Sequence, residues 1–231
     1  MNSPLERLFS SVAEKSAHFI SNIDPARVAC ASHGLITVSS GPRSTYFDEA
    51  ASSALLAVYK VRWPSFDALV QRLHRLWVLP LVEVLRVLQV VALYERRGDV
   101  RRCIGRSVRT SLVDRVGQSA FDMIVATPGA NASASGESSI DRIPATLLAR
   151  SGFGALEAHN CWACSDSRQL VMLCLPPDKA DERSAFDASA RPVLPATDLH
   201  GLIERLDLFF PEHAWLFGCD MDKTLLALST G

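Results

Sequence analysis

The sequence predicts a compact, mainly α-helical fold with a minor β element near residues 168–175. Helix start signals recur along the chain, and apolar residues repeat at the helical spacing i, i+3, i+4 and i+7. Only one short apolar run has the length and the flanking prolines of a strand. With 231 residues, of which 48% are hydrophobic and 21% charged, the chain can bury a substantial core.

The first helices are predicted before residue 60. Ser3-Pro4-Leu5-Glu6 has the form of a capping box with proline at the first helical position. Asp24-Pro25 is a second start signal, and a third helix fits residues 46–60. The N-terminal residues lack the apolar core of a signal peptide, so we expect a cytosolic protein with reduced thiols.

The strongest helical pattern lies between residues 65 and 97. Ser65 can cap a helix whose apolar side chains fall on one face: Phe66, Leu69, Val70, Leu73, Leu76 and Trp77. His74, among the charges of that helix, is expected at the surface. Pro80 starts a second helix that we expect to be buried on most sides and to stop at Gly98. The charges and the proline within this apolar run argue against a membrane span.

The segment "TPGANASASGESS", residues 127–139, has no bulky side chain and is predicted to be a flexible loop. It would separate an N-terminal helical lobe, residues 1–126, from a C-terminal lobe, residues 140–231, within one integrated domain. In the second lobe, "RQLVMLCL" (168–175) is interpreted as a strand because it is short, apolar and followed by Pro176-Pro177.

The charge distribution is uneven along the chain. The net charge of −1 argues against a general attraction to nucleic acid or to an anionic membrane. Between Tyr94 and Val116, however, seven arginines stand against three acids, and residues 178–207 are acidic. Tyr94 is the only aromatic residue there, so the run lacks the stacking side chains of a single-stranded nucleic-acid site. An acidic partner protein, or the chain's own acidic segment, fits these arginines better.

Asp220-x-Asp222-x-Thr224 resembles the opening motif of haloacid-dehalogenase-like hydrolases. There the first Asp attacks phosphorus, the second handles the proton and the Thr holds a phosphate oxygen. Such a site needs Mg²⁺ and further carboxylates, which in that family come later in the chain. Only seven residues follow Thr224, so the favoured interpretation is a helix or tail with two solvated carboxylates. A phosphohydrolase is the least favoured alternative.

Cys161 and Cys164 define a second alternative, a thiol or zinc-binding protein. His159 could join them, with Cys174 or Cys219 as a fourth ligand. A thioredoxin-like pair follows a strand and opens a helix, whereas this pair follows a predicted helix and precedes the predicted strand. No second Cys-x-x-Cys supports a zinc site, so ordinary thiols near a turn are the favoured interpretation.

The segment "LPLVEVLRVLQVVALYERRGDVRRCIGRSVRTSLVDRVGQSAFDMIV" (79–125) is similar to the central block of the SctK/YscK family of bacterial type III secretion systems, including Hrp systems. That block is a Leu-rich helix, a break at Gly followed by an acid, and then Arg-Arg-Cys; here these are Gly98-Asp99 and Arg101-Arg102-Cys103. Farther on, "LLARSGFGALEA" (147–158) and "SRQLVMLCLPP" (167–177) resemble the family's Ser-Gly helix and its Arg-x-Leu strand.

The resemblance implies a non-enzymatic adaptor with no catalytic residue, cofactor or metal. Family members belong to the cytosolic sorting platform, where they sit at the inner membrane between the cytosolic domain of the ring protein SctD and the pod protein SctQ. The resemblance marks Gly98, Asp99, Arg101, Arg102 and Cys103 as motif residues, either structural or partner-facing. Arg101 and Arg102 are 100° apart on a helix, so one is expected to reach an internal acid or carbonyl. Cys103 is expected to be buried.

Overall fold

The computed structural model describes residues 3–31, 45–102, 105–128, 140–177 and 196–229. This part of the chain is helical and contains no strand, so the mainly α fold class is confirmed. The α-helices are, in chain order, α1 Pro4–Ala17, α2 Pro25–Ala31, α3 Thr45–Tyr59, α4 Leu81–Glu95, α5 Arg97–Arg102, α6 Arg106–Val116, α7 Gln118–Ala126, α8 Ala145–Ala158, α9 Ser165–Leu173, α10 Ala196–Ile203, α11 Leu206–Phe209, α12 Ala214–Phe217 and α13 Cys219–Ser229. Short 3₁₀ helices cover Phe19–Asn22, Phe66–Val70, Arg72–Val78, Ile140–Arg142 and Pro211–His213.

The predicted capping box at the start of α1 is present. The Glu6 backbone N–H donates to Ser3 Oγ at 3.2 Å, and the Ser3 N–H donates to Glu6 Oε2 at 2.8 Å. Pro4 occupies the first turn, where a missing N–H costs no intrahelical hydrogen bond. A local sequence signal therefore sets this helix boundary.

The predicted β element near residues 168–175 is wrong. The segment lies largely within helix α9, which begins three residues earlier at Ser165 and carries Asp166 in its first turn. A carboxylate is favoured there by the partial positive charge of the helix N-terminus. Four buried residues follow the helical spacing i, i+3, i+4 and i+7, namely Ser167, Leu170, Val171 and Cys174, and Leu173 and Leu175 are buried as well. A short apolar run alone does not distinguish a strand from one face of a helix.

The chain divides into two compact units. Unit 1 consists of Met1–Val84, Trp162–Pro177 and Trp215–Gly231, and unit 2 consists of Leu85–Cys161 and Asp178–Ala214. Both units draw on segments from either side of residues 127–139, of which only Thr127 and Pro128 are described. The expected lobes 1–126 and 140–231 stay a prediction.

Unit 1 is organised by two consecutive 3₁₀ helices, Phe66–Val70 and Arg72–Val78, where the sequence predicted one continuous helix. Gln71 separates them in an extended conformation, with φ −81° and ψ 129°. Helix α13 packs on the first 3₁₀ helix and α9 on the second, while α1 contacts α3 and α13. Because the chain is interrupted at Gln71, backbone carbonyls before it are released from helical hydrogen bonding and can accept from side chains.

Unit 2 has a close approach between two helices at Gly152 of α8. A Cβ atom at this position would lie 1.8 Å from the carbonyl oxygen of Leu88 in α4. The expected burial of α4 is observed from Val87 to Tyr94, whose side chains are all 7% exposed or less. None of the helices in the described ranges is long and apolar enough to cross a membrane.

Replacing Gly152 with Ala should destabilise unit 2 by about 1–3 kcal/mol or more, because the new methyl group meets backbone that cannot rotate away. Gly201, within α10, is the matched control, since the nearest atom to its Cβ is Arg205 Nη2 at 3.9 Å. Gly201→Ala should raise stability by about 0.5–1 kcal/mol through helix propensity. Urea unfolding of both variants checks this, and equal midpoints would contradict the close approach.

Candidate functional site

The motif residues marked by the family resemblance lie on or next to the short helix α5. Gly98 and Asp99 are partly buried, Arg101 and Arg102 are exposed, and Cys103 lies outside the described residues. The expected break at Gly98 is displaced: α4 ends at Glu95 and Gly98 lies within α5. The Arg96 carbonyl accepts from Asp99 N–H at 2.8 Å and from Val100 N–H at 3.0 Å, so the new helix starts there.

The buried arginine of this stretch is Arg97, which is 4% exposed. Its Nε donates to the Pro128 carbonyl at 2.7 Å, Nη1 to the Tyr94 carbonyl at 3.2 Å and Nη2 to Asp198 Oδ2 at 2.8 Å. The guanidinium also lies 4.8 Å from the centre of the Tyr94 ring. Arg97 therefore connects α5 to the end of α7 and to α10. Within the described part of the acidic segment, Asp198 neutralises Arg97.

The two arginines of the Arg-Arg-Cys motif are both at the surface. Arg101 Nε donates to the Val125 carbonyl at 2.8 Å, and Arg102 Nη2 lies 3.6 Å from Asp99 Oδ1. One of the pair thus reaches a carbonyl, yet neither is buried. Both guanidinium groups remain accessible to a partner, which makes these residues candidates for binding rather than for core packing.

Helix α6 continues the arginine-rich surface. Its buried side chains, Leu112 and Val116, define the inward face of a helix that packs on α7. Arg106 and Arg109 are exposed, and their guanidinium groups make no ion pair or hydrogen bond with the described part of the chain. A shallow groove runs along this helix and is lined by Arg106, Ser107, Thr110, Ser111, Asp114 and Arg115. We call the exposed arginines Arg101, Arg102, Arg106 and Arg109 the basic face.

The Asp-x-Asp-x-Thr motif lies on helix α13, and Asp222 has a structural role there. Asp222 Oδ1 accepts from Arg75 Nη2 at 2.6 Å, and Oδ2 accepts from Arg72 Nε at 2.9 Å and Nη2 at 2.8 Å. The expectation of two solvated carboxylates is therefore wrong for Asp222, whose side chain is 26% exposed. Two guanidinium groups thus occupy both oxygens of the carboxylate that would handle the proton in a phosphohydrolase.

Arg75 is fully buried, and each of its nitrogens has an acceptor. Besides Asp222, it donates to the carbonyls of Leu69 at 2.6 Å, Val70 at 2.7 Å and Leu216 at 2.8 Å. Burial lowers the pKa of Arg75, and its bond to Asp222 opposes that effect. We call Arg72, Arg75 and Asp222 the arginine–aspartate cluster. It links α13 to the 3₁₀ helix Arg72–Val78 within unit 1.

The rest of the Asp-x-Asp-x-Thr motif serves the helix itself. Asp220 is exposed, and Thr224 Oγ1 donates to the Asp220 backbone carbonyl at 2.8 Å, one turn earlier. Across the described ranges, neither Asp220 nor Asp222 belongs to a group of three or more side chains that could hold a metal ion. The motif lies within a helix, where Asp220 and Asp222 point to different sides, and not at the end of a strand.

Two of the cysteines of the second alternative, Cys161 and Cys174, are buried, whereas Cys164 is partly buried and Cys219 is exposed. Burial raises the pKa of Cys161 and raises that of Cys174 to about 11, which disfavours the thiolate that binds metal. His159 Nε2 lies 3.7 Å from Glu95 Oε1, so the ring already has a carboxylate neighbour. In the part of the chain that the structure describes, neither Cys161 nor Cys164 joins a group of three potential ligands.

His74 is buried, and the expectation of a surface histidine is wrong. It is 1% exposed; its Nδ1 lies 3.1 Å from the Ala68 carbonyl, and its Nε2 accepts from the backbone N–H groups of Ala163 at 3.2 Å and Cys164 at 3.3 Å. This pattern requires the neutral tautomer with the proton on Nδ1. Burial lowers the pKa of His74, with an opposing effect from the Ala68 hydrogen bond. The His74 side chain thus binds the backbone of Ala163 and Cys164, at the second cysteine of the Cys-x-x-Cys motif.

The comparison with protein families gives one result. The family model described as "Bacterial type III secretion protein (HrpB4)" matches residues 10–212, which include α5, α6 and the basic face. No curated protein and no solved structure matches the chain. Helix α13 with the Asp-x-Asp-x-Thr motif lies beyond the matched residues.

Asp222→Asn should destabilise the protein by about 2–4 kcal/mol, because it leaves the buried Arg75 charge without its carboxylate. Asp220→Asn is the matched control on the same helix and should change stability by less than about 0.5 kcal/mol. Thermal unfolding of both variants measures the difference. If the two variants unfold like the unmodified protein, the arginine–aspartate cluster does not stabilise unit 1.

The buried His74 should make stability fall in mild acid. In the unfolded chain this group titrates near its ordinary value of 6.5, whereas its folded pKa is lower. As pH falls below about 6.5, the unfolded state takes up a proton that the folded state refuses, so the free energy of unfolding decreases. Above that pH the group contributes no pH dependence.

Urea unfolding at several pH values between 5 and 7.5 (about neutral to mildly acid) tests this for His74→Gln and for the exposed His200→Gln. The His74 variant should lose part of the acid sensitivity, and the His200 variant should retain it. The same pH dependence in both variants would rule out the buried imidazole as its source.

Proposed function

Because this chain belongs to the HrpB4 family of bacterial type III secretion proteins, it is a component of such a secretion system, and we propose that it is a non-enzymatic cytosolic adaptor of the sorting platform. In this role it links an SctD-like ring protein, through that protein's cytosolic domain, to an SctQ-like pod protein. The family match over residues 10–212 is the single observation that carries the proposal.

The disposition of the arginine-rich stretch supports an adaptor. Arg97 is buried and donates its hydrogen bonds within the protein, whereas Arg101 and Arg102 of the motif lie at the surface. Gly98 and Asp99 belong to the short helix that carries these arginines. We assign Gly98 and Asp99 to positioning this helix and the two arginines to partner contact. Cys103 follows directly in sequence and belongs to the same motif.

The two alternatives find less support. A phosphohydrolase needs the carboxylate of Asp222 to handle the proton, but this group accepts hydrogen bonds from Arg72 and Arg75. A thiol or zinc protein needs accessible thiolates, but burial raises the pKa of Cys161 and Cys174. The geometry at both motifs stabilises the fold, and this agrees with a protein that works by binding other proteins.

The proposed location is the cytosolic face of the inner membrane. None of the described helices could span the bilayer, so the adaptor would be held there by its partners. The motif block, residues 97–102, and helix α6 both belong to unit 2. We propose that unit 2 carries at least one of the two partner-binding surfaces.

Co-expression with the SctQ-like protein and with the cytosolic domain of the SctD-like protein of the same secretion system tests the adaptor function. The tagged chain should retain each partner through affinity purification and size-exclusion chromatography, and a ternary complex should form. Deleting the gene should abolish secretion of effector proteins while leaving the ring protein in the membrane.

A matched control for this experiment is the Asp220→Asn variant, which changes the hydrolase-like motif at an exposed position. It should restore secretion to the deletion strain. Loss of secretion with a folded Asp220→Asn protein would favour the phosphohydrolase. Failure to bind either partner, together with normal secretion in the deletion strain, would refute the adaptor.

A further inference from the structure

We propose that the basic face, formed by Arg101, Arg102, Arg106 and Arg109, binds an acidic segment of a partner protein in the secretion apparatus. The proposal rests on the adaptor function and deepens it by naming the surface and the chemistry of the partner. Arg101 and Arg102 lie on α5 and Arg106 and Arg109 on α6, and both helices belong to unit 2.

The first argument is an excess of positive charge that the fold leaves at the surface. Residues 97–116 contain six arginines and two acids, Asp99 and Asp114. The acidic segment of the chain itself reaches this region through Asp198, which pairs with Arg97. Arg106 and Arg109 have no acidic partner among the described residues, and both are exposed. Complementary charge from another protein would therefore be favourable here.

The second argument is the shape and chemistry of α6. Leu112 and Val116 face inward, and the shallow groove lies on the outward side of the helix, with Arg106 at its edge; Arg109, three residues after Arg106, is exposed outside the groove. Guanidinium groups bind carboxylates through two parallel hydrogen bonds, and Ser107 beside them offers a hydroxyl donor. The groove carries two arginines, Arg106 and Arg115, and three hydroxyl groups against one acid, Asp114, so it suits a peptide whose Asp or Glu side chains are spaced apart.

The third argument favours an acidic protein segment over nucleic acid and over an anionic lipid surface as the ligand. No aromatic residue occurs between residues 97 and 116, so bases of a single-stranded nucleic acid would find no stacking surface. Asp99 and Asp114 lie among the arginines and would repel a continuous phosphate backbone or an anionic lipid surface. A peptide with spaced carboxylates can avoid these two acids. The chain's net charge of −1 supplies no broad attraction to polyanions.

The test is the double charge reversal Arg106→Glu/Arg109→Glu in the full-length protein. Both side chains are exposed, so the fold should be retained, which circular dichroism and thermal unfolding verify. The matched control is Lys60→Glu/Arg62→Glu, which makes the same change in net charge at exposed positions of unit 1. The probes are the purified SctQ-like protein and the cytosolic domain of the SctD-like protein.

For one of these two partners, the charge reversal should weaken binding at least about tenfold, and it should reduce the salt dependence of the affinity. The control should bind like the unmodified protein. The variant Arg106→Lys/Arg109→Lys keeps the charge but loses the paired geometry, so it should have intermediate affinity. If both partners bind the charge-reversed variant with unchanged affinity, the basic face is not the docking surface, although the adaptor function stands.

Two further probes test whether the basic face binds nucleic acid or anionic lipid. A single-stranded RNA oligonucleotide and vesicles of phosphatidylglycerol and phosphatidylcholine should bind the unmodified protein and the charge-reversed variant equally weakly. If the unmodified protein binds either probe strongly and the charge-reversed variant does not, the ligand of the basic face is a nucleic acid or an anionic membrane and not an acidic protein segment. If neither secretion protein binds the unmodified chain, the proposed function itself fails.

Discussion

A guanidinium group can be buried only where the surrounding chain supplies acceptors for its N–H groups, and Arg75 imposes this requirement on unit 1. The carbonyls of Leu69 and Val70 meet part of it, because the chain is interrupted at Gln71 and forms two 3₁₀ helices instead of one α-helix. The Asp222 carboxylate meets the rest and brings helix α13 with it. The interruption of one helix and the position of another thus follow from one buried charge.

The same need for hydrogen-bond acceptors distinguishes the buried from the exposed arginines of unit 2. Arg97 has carbonyl and carboxylate acceptors on three sides and is committed to the fold, whereas the arginines that follow it reach the surface. Arg86 is likewise engaged, with the Val116 carbonyl at 2.9 Å and Glu212 at 2.7 Å. Arg101 donates to the Val125 carbonyl and Arg102 lies near Asp99, yet both stay exposed, and we propose that such surface arginines bind an acidic partner. The local supply of acceptors thus separates the buried Arg97 from the exposed arginines that follow it.

The sequence was most informative about features that depend on residues close together in the chain. The capping box of Ser3 predicted the start of α1, and the segment 79–125 predicted the type III secretion family. It was least informative where contacts join distant residues. Asp222 meets Arg72 across 150 positions, and His74 meets Ala163 across 89, so neither pairing leaves a local pattern. Helix α9 was missed for another reason, since its apolar run is short enough to fit either periodicity.

The discontinuity of unit 1 affects how the protein can fold during synthesis. Arg72 and Arg75 leave the ribosome long before Asp222, and all of unit 2 is synthesised in between. The nascent chain must hold unit 1 incomplete, with its arginines hydrated, until the final segment is translated. Long sequence separation between contacting residues slows such closure. A ribosome that stalls after residue 214 would release a chain with unit 2 complete and unit 1 open, and quality-control proteases would recognise the exposed core.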